Sequence, residues 1–221
     1  MVNETASAPS LDAKSLPSRR RGKDTFEAIL TTAGALLAEV GFERLTTNLV
    51  CERAGLTPPA LYRYFPNKYA LLAELARRLM DAQDEVFLAW MEEGGSIAAS
   101  LEEAVGKSIT LRKRLIAVTR AQPGGMWILR AIRALPVLRE VRVDSQNKVL
   151  DRHFSMIRSA YPEVGDERLW TAVRLSEETT YAMIEMILED PGLDEDQVIE
   201  ETSWMTTLYF RELATRSARE G

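Results

Sequence analysis

One cysteine and one histidine in 221 residues leave little equipment for covalent or metal chemistry. Cys51 has no second cysteine with which to form a disulfide. His153 has no Cys or His partner at zinc-ligand spacing, so no metal is expected. The chain also lacks a G-x-S-x-G nucleophile elbow and a glycine-rich phosphate loop. Glu177 and Glu178 are sequence neighbours, which on a helix point about 100° apart; they read as solvent or interface carboxylates, not as an acid/base pair. With no assignable catalytic residue and no cofactor motif, an enzyme is not expected. No apolar run approaches the ~20 residues of a membrane span. The opening stretch, MVNETASAPSLDAKSLPSRRRGK, carries no apolar export core. The expectation is a cytoplasmic protein with no membrane partner.

What is present is the composition of a soluble globular chain, 46% hydrophobic and 28% charged, and a length sufficient for a substantial core. The net charge of −5 is unevenly divided: residues 1–70 hold 9 Lys or Arg against 7 Asp or Glu, and the remainder 19 against 26. A mildly basic end on an acidic body orients a molecule toward phosphates while limiting indiscriminate adhesion.

The most informative run is residues 46–68, TTNLVCERAGLTPPALYRYFPNK, which reads as two short helices joined by a tight turn. Thr46 or Thr47 supplies an N-cap hydroxyl for the first helix, and Val50 with Ala54 forms its inner face. Cys51 reads as a small buried hydrophobe. Gly55 ends this helix in the left-handed conformation, with Leu56 folding back. Thr57 caps the second helix, where Pro58 and Pro59 lack only N–H groups that a first turn leaves unpaired. Leu61 and Phe65, one turn apart, face inward; Thr57, Ala60, Tyr62, Arg63 and Tyr64 are then left for the outward faces, and with Thr46, Thr47 and Pro58 they are the expected DNA contacts. This is the arrangement that a helix-turn-helix offers to a DNA major groove. Tyr62, Tyr64 and Lys68 are expected to fix the protein on phosphates, and Arg63 with the helix start to read bases. Lys68 opposes the macrodipole of the helix that it opens, a poor choice for stability and a sensible one for gripping a phosphate.

These residues carry a resemblance. The segment GFERLTTNLVCERAGLTPPALYRYFPNKYALL resembles the DNA-binding segment of the TetR family of bacterial transcriptional regulators, over about residues 25–72. The match rests on Gly41 and Phe42, Thr46 and Thr47, Ala54 and Gly55, then Leu61, Tyr62, Tyr64, Phe65 and Lys68. Two positions depart from the pattern: Tyr64 stands where the family usually has His, and Pro59 where it often has Gly. The resemblance implies an all-α regulator with an operator-binding domain followed by a helical ligand-binding and dimerisation domain.

Along the chain, residues 1–22 are rich in Ser, Pro and Ala and are expected to be disordered; Arg19, Arg20, Arg21 and Lys23 then form a basic arm suited to phosphates or a minor groove. A helix over about 24–40 carries Phe26, Ile29, Leu30, Ala33, Leu36, Leu37 and Val40 at helical spacing. It belongs with the two short helices in a domain of about residues 23–70. Residues 71–221 are expected to form the second domain. A long helix runs over about 68–91. Gly94 and Gly95 break it, Ser96 caps the next helix, which begins with Ile97, and QPGG at 122–125 and Pro136 mark further breaks. Later helices span about 166–188 and 195–219, giving nine in all with no strand pattern.

Methionines and aromatics gather in the second domain: Phe87, Trp90, Met91, Met126, Trp127, Phe154 and Tyr181, around His153. Such groups suit an apolar pocket with a few orienting polar atoms, so a small apolar or amphipathic effector is expected there. The last two helices carry more apolar surface than one domain needs, which suggests a homodimer through them. The combined reading is a DNA-binding transcriptional regulator, a repressor released by its ligand. A regulator answering to a protein partner or to no small molecule, and, from another class, a helical adaptor or enzyme, stay open on sequence alone.

Overall fold

A computed structural model describes residues 9–95 and 98–220; Ser96 and Ile97, the expected start of the fifth helix, lie outside the described residues. Among the described residues nine α-helices follow one another: α1 Arg20–Arg44, α2 Thr47–Ala54, α3 Pro58–Tyr62, α4 Lys68–Glu92, α5 Leu101–Ala121, α6 Gly125–Ala134, α7 Arg139–Ala160, α8 Asp166–Glu189 and α9 Glu195–Glu220. A single 3-10 turn, Pro136–Leu138, separates α6 from α7, and no strand occurs among the described residues. The fold is all-α.

Two compact units divide the chain, residues 1–80 with 121–143, and residues 81–120 with 144–221. The expected boundary near residue 70 therefore moves ten residues along α4, and the segment containing α6 joins the first unit. Physical chemistry at two glycines accounts for α6. A Cβ on Gly34 of α1 would collide with the carbonyl of Pro123, and a Cβ on Gly124 with the carbonyl of Gly34. Bare backbone at both positions lets α6 lie directly on α1. Gly124 also caps α6 with φ 73°, a conformation glycine adopts without steric cost.

Around that contact, the first unit closes a dense core. Phe26, Ile29, Leu36 and Leu37 of α1, Val50, Leu61 and Phe65, and Leu71, Leu72, Leu75 and Leu79 of α4 are buried together with Ile128 and Ile132 of α6. Helix α1 is long and apolar enough to cross a membrane by length and composition, which the sequence reading did not anticipate. Its apolar stripe is spent on this core. It begins at Arg20, some four residues earlier than expected, and breaks at Gly41 with φ 73°. Arg20, Arg21 and Lys23 therefore stand on its first turn and not in an unstructured arm.

The segment preceding α1 is also attached. The Lys14 amide donates to the Tyr64 carbonyl at 2.7 Å, Asn67 Nδ2 to the Ser10 carbonyl at 3.1 Å, and Arg77 to the Leu11 carbonyl and the Asp12 carboxylate. From residue 10 to residue 15 the expected disordered arm is a strap hydrogen-bonded across the end of α3 and the start of α4. The sequence signal was composition, which registers the missing apolar groups but not backbone hydrogen bonds.

In the second unit, Leu150, Val164, Leu169, Val173, Phe210 and Leu213 form a core cluster, with Phe154 stacked on Trp170 at 5.0 Å. Helix α4 runs unbroken from the first unit into the second.

Candidate nucleic-acid interface and ligand cavity

The helix pair α2–α3 is built much as its residues dictate. Thr46 caps α2 by accepting from the Leu49 amide at 3.1 Å, and Gly55 ends the helix with φ 64°, its N–H directed to the Cys51 and Glu52 carbonyls. Cys51 is buried, and burial pushes its thiol up. Helix α3 opens at Pro58 after Thr57, whose hydroxyl makes no cap bond and so stays free on an exposed residue. Leu61 and Phe65 are fully buried, and Phe65 stacks on Phe26 at 4.9 Å. The two helices are tied at their outer edge by a 3.0 Å hydrogen bond between the hydroxyls of Thr47 and Tyr62. Thr46, Thr57, Pro58, Tyr62 and Arg63 are exposed, and Ala60 and Thr47 half-buried. Arg19, Arg20, Arg21 and Lys23 are exposed as well.

Two of the expected DNA contacts have partners inside the protein. Tyr64 is buried, 7% exposed, with its ring edge-on to Phe26 at 5.5 Å. The reason is that α3 ends at Tyr62, so the helical period used to place Tyr64 has already lapsed, and both Tyr64 and Phe65 turn inward. Lys68 is engaged within the protein: its Nζ donates to the carbonyls of Phe42 at 3.2 Å and Glu43 at 3.3 Å. The ammonium thus satisfies carbonyls left open beyond the Gly41 break.

The second unit contains a partly open cavity of about 160 Å³ lined by residues of α4, α5, α7, α8 and α9. Much of its wall is apolar, with Phe87, Trp90, Leu111, Leu115 and Phe210; the Phe87 ring meets that of His153 at 5.1 Å. Its polar groups are buried and incompletely paired. Arg112, 3% exposed, donates from Nη2 to Thr206 Oγ1 at 3.0 Å and from Nη1 to Ser108, while its Nε has no partner. Burial alone pushes its guanidinium down to about 10. Asp84 accepts from Ser145 Oγ at 2.9 Å through one oxygen and leaves the other unpaired; burial pushes the carboxyl up to about 6 against the opposing pull of that bond. Gln83 Nε2 donates to Thr119 Oγ1, and its carbonyl oxygen is unpaired. His153 Nδ1 lies 3.7 Å from Glu177 Oε1, too long for a hydrogen bond. Burial pushes Glu177 upward in spite of the nearby imidazole.

The family model for bacterial regulatory proteins of the tetR family matches residues 29–75, and the model for the tetracyclin repressor-like C-terminal domain matches residues 100–209. The chain belongs to the TetR family of bacterial transcriptional regulators. Among curated relatives, the tetracycline repressor protein class C of Escherichia coli is 50% identical over 54 residues, 24% of this chain and 25% of that protein. The chain therefore spans about a quarter of that relative's length. Solved structures extend the likeness to the whole fold. A TetR-family regulator from Syntrophomonas wolfei has a TM-score of 0.62 at 14% identity, covering 87% of this chain and 96% of that one. SmeT, the Stenotrophomonas maltophilia repressor, solved in complex with triclosan, has a TM-score of 0.60 at 23% identity over 84% of this chain and 90% of that one. TetR-family regulators are non-enzymatic transcription factors.

Within this TetR-family chain, the residues expected around a ligand separate into two groups. Phe87, Trp90, His153 and Tyr181 line the cavity. Met91 lies on a wider neighbouring cleft, and Phe154 is taken up by the Trp170 stack. Met126 and Trp127 belong to α6 in the first unit, where the Arg130 guanidinium lies over the Trp127 ring at 5.2 Å. Sequence reading passed over Gln83, Asp84 and Arg112, and it placed Glu177 at solvent or an interface. A signal was present: Ile109, Arg112, Ile116 and Thr119 share one helical face, so a cation interrupts an apolar stripe. Asp84 interrupts the stripe of Met80 and Phe87 in the same way.

Proposed function

We propose that this chain is a DNA-binding transcriptional repressor that leaves its operator when a small molecule occupies the cavity of the second unit. The observation that carries the reading is the set of buried, unpaired polar atoms on Gln83, Asp84, Arg112, His153 and Glu177 around one cavity. Buried polar groups are ordinarily paired, and five residues with such atoms in the lining of one cavity favour a ligand that completes them. The triclosan complex of SmeT, a protein of the same fold, supports a small-molecule effector here.

On the DNA side, the exposed Thr57, Pro58, Tyr62 and Arg63 of the second short helix enter the major groove, with Arg63 reading bases, while Arg19, Arg20, Arg21 and Lys23 follow phosphates. One helix-turn-helix touches too few base pairs for useful specificity, so two are held about 34–36 Å apart by a two-fold axis. Exposed Leu175 and Met186 on α8, and Met205, Leu208 and Tyr209 on α9, suit an isologous interface. Helix α4 belongs to both units, so a ligand that prefers one setting of α4 biases the reader. A coupling of about 1–3 kcal/mol changes operator affinity roughly 5–150-fold. Protein of this type works in the cytoplasm.

The test is to enrich duplex DNA from a random pool with the full chain, sequence it, and measure affinity for the selected site with and without candidate effectors. A palindromic site released by a stabilising compound is expected. A selected site that no compound releases would favour control by a protein partner.

A further inference from the structure

The unpaired polar groups of the cavity differ in what they can do about their burial. Asp84 and Glu177 are carboxyls, able to shed charge by binding a proton, and burial already pushes both in that direction. Arg112 has no such escape: a guanidinium pushed down only to about 10 stays cationic at neutral pH. Both of its hydrogen-bond partners, Ser108 and Thr206, are neutral, and the two carboxylates on the same cavity wall, Asp84 and Glu177, make their contacts with Ser145 and His153 instead. Its Nε remains unpaired. A buried charge without a counter-charge is one of the costliest arrangements in a protein interior, and a bound anion relieves it. The space around it is small, about 160 Å³, a volume in which an engineered apolar cavity holds a single benzene ring.

We propose that the cavity takes a monocarboxylate carried on a body the size of one ring, the carboxylate received by Arg112 and the body lying among Phe87, Trp90, Leu111 and Leu115. The assignment rests on the reading of the cavity as the effector site and names the chemistry of the effector. A carboxylate matches the fork of a guanidinium, and a charge-assisted hydrogen bond to Nε supplies the contact that the protein leaves open. An ammonium group is the wrong partner because it adds a second cation to one that has no counter-charge. A neutral head leaves the guanidinium unbalanced. A ring hydroxyl on the ligand would find acceptors in Asp84 and Glu177.

The experiment is calorimetric titration of the full chain with benzoate, benzamide and benzylamine, one ring bearing an anionic, a neutral and a cationic head. Wild type, Arg112→Gln and Arg112→Lys are compared, with circular dichroism to verify folding. Benzoate should bind wild type at least tenfold more tightly than either other probe, and Arg112→Gln should lower it to the level of benzamide. If Arg112→Gln does not fold, Arg112→Lys carries the test: loss of the fork should weaken benzoate several-fold. Benzamide or benzylamine binding as tightly as benzoate, no benzoate binding to wild type, or unchanged benzoate affinity in the folded variants would each overturn the proposal. Operator release distinguishes the two levels. Release by neutral or cationic compounds with benzoate inert removes the carboxylate and leaves the effector site standing, whereas an operator complex that no compound in a broad panel releases removes both.

Discussion

The helix pair and the cavity treat their polar groups in opposite ways. In the first unit, the polar groups nearest the DNA reader are paired: Thr46 with the Leu49 amide, Tyr62 with Thr47, Lys68 with two carbonyls, and Arg78 bidentate to Glu27. Apolar rings fill what is left. In the second unit, the central residues Gln83, Asp84, Arg112, His153 and Glu177 each keep an unpaired buried atom. A reader must present one surface without deforming, and dense packing with satisfied hydrogen bonds provides that. The proposed effector site has the reverse, a cavity lined by polar groups that the protein leaves incompletely paired. The contrast can be broken by substitution.

The largest expected effect is at the packed end. Phe65 is fully buried and stacked on Phe26, so Phe65→Ala should cost about 3–5 kcal/mol. Phe87→Ala removes a ring of the same size that already faces a cavity. That ring has empty space on one side and so gives up less dispersion energy, and the cost should fall at or below the lower end of that range. Urea unfolding of both variants checks the difference; equal losses would mean that the second unit is as tightly packed as the first.

The next effect has the opposite sign. Asp84 is raised from 3.8 to about 6 by burial, so the native state holds its proton more tightly than the unfolded chain does. This group therefore stabilises the fold progressively as pH falls from about 6 toward 4, and above 6 its charge is a burden. The burden amounts to at most about 3 kcal/mol at ~1.36 kcal/mol per pH unit. Asp84→Asn keeps a side chain able to accept from Ser145 and should raise stability at pH 8 by about 1–3 kcal/mol. It should also flatten the stability profile between pH 4 and 6. Thermal unfolding across that range decides, and a variant no more stable than wild type at pH 8 would count against an unrelieved charge in the cavity.

At the DNA surface the expected change is in specificity. The Arg63 guanidinium is exposed and makes no hydrogen bond or ion pair with the described residues. Arg63→Ala should relax preference at one operator position by about 1–3 kcal/mol and leave thermal stability nearly unchanged. Selection of random duplexes with the variant checks this: an unaltered preference at every position would place base reading elsewhere.

The same contrast explains what could be read in the sequence. The helices are legible because Gly, Pro and cap residues punctuate long apolar periods, as at Gly41, Gly55, Pro136 and Pro162. Leu61 and Phe65 are legible as the inner face of the reader because they stand one turn apart, and the Phe65 amide still donates to the Leu61 carbonyl at 3.0 Å although α3 has ended. Tyr64 is not, since a five-residue helix stops before reaching it. Helix α6 shows a similar limit. Met126 and Trp127 announce apolar surface, but only the touching backbones of Gly34 and Gly124 decide that it lies on α1. In the cavity, aromatic enrichment found Phe87, Trp90, His153 and Tyr181. Arg112 and Asp84 escaped because the pocket was sought among methionines and aromatics, whereas a charge inside an apolar stripe is the stronger sign of a site.

The smallest expected effect sharpens the reader itself. A cation at the first residue of α4 opposes the macrodipole, which from sequence favoured a phosphate contact for Lys68. Its Nζ instead bridges the Phe42 and Glu43 carbonyls, and so it braces the turn that joins α1 to the helix pair. The two roles differ in their salt dependence. Removing one cation from the phosphate footprint lowers the slope of log affinity against log salt by about one. Removing a brace leaves that slope alone and lowers stability by about 1 kcal/mol, the net worth of a hydrogen bond to a charged donor or a little less. Lys68→Ala should behave as a missing brace, with a small drop in unfolding free energy, a modest and sequence-independent loss of DNA affinity, and an unchanged salt slope. Filter binding of the selected operator at several salt concentrations separates the outcomes. A slope reduced by about one, with stability unchanged, would return Lys68 to the phosphate backbone and show that its carbonyl contacts give way when DNA arrives.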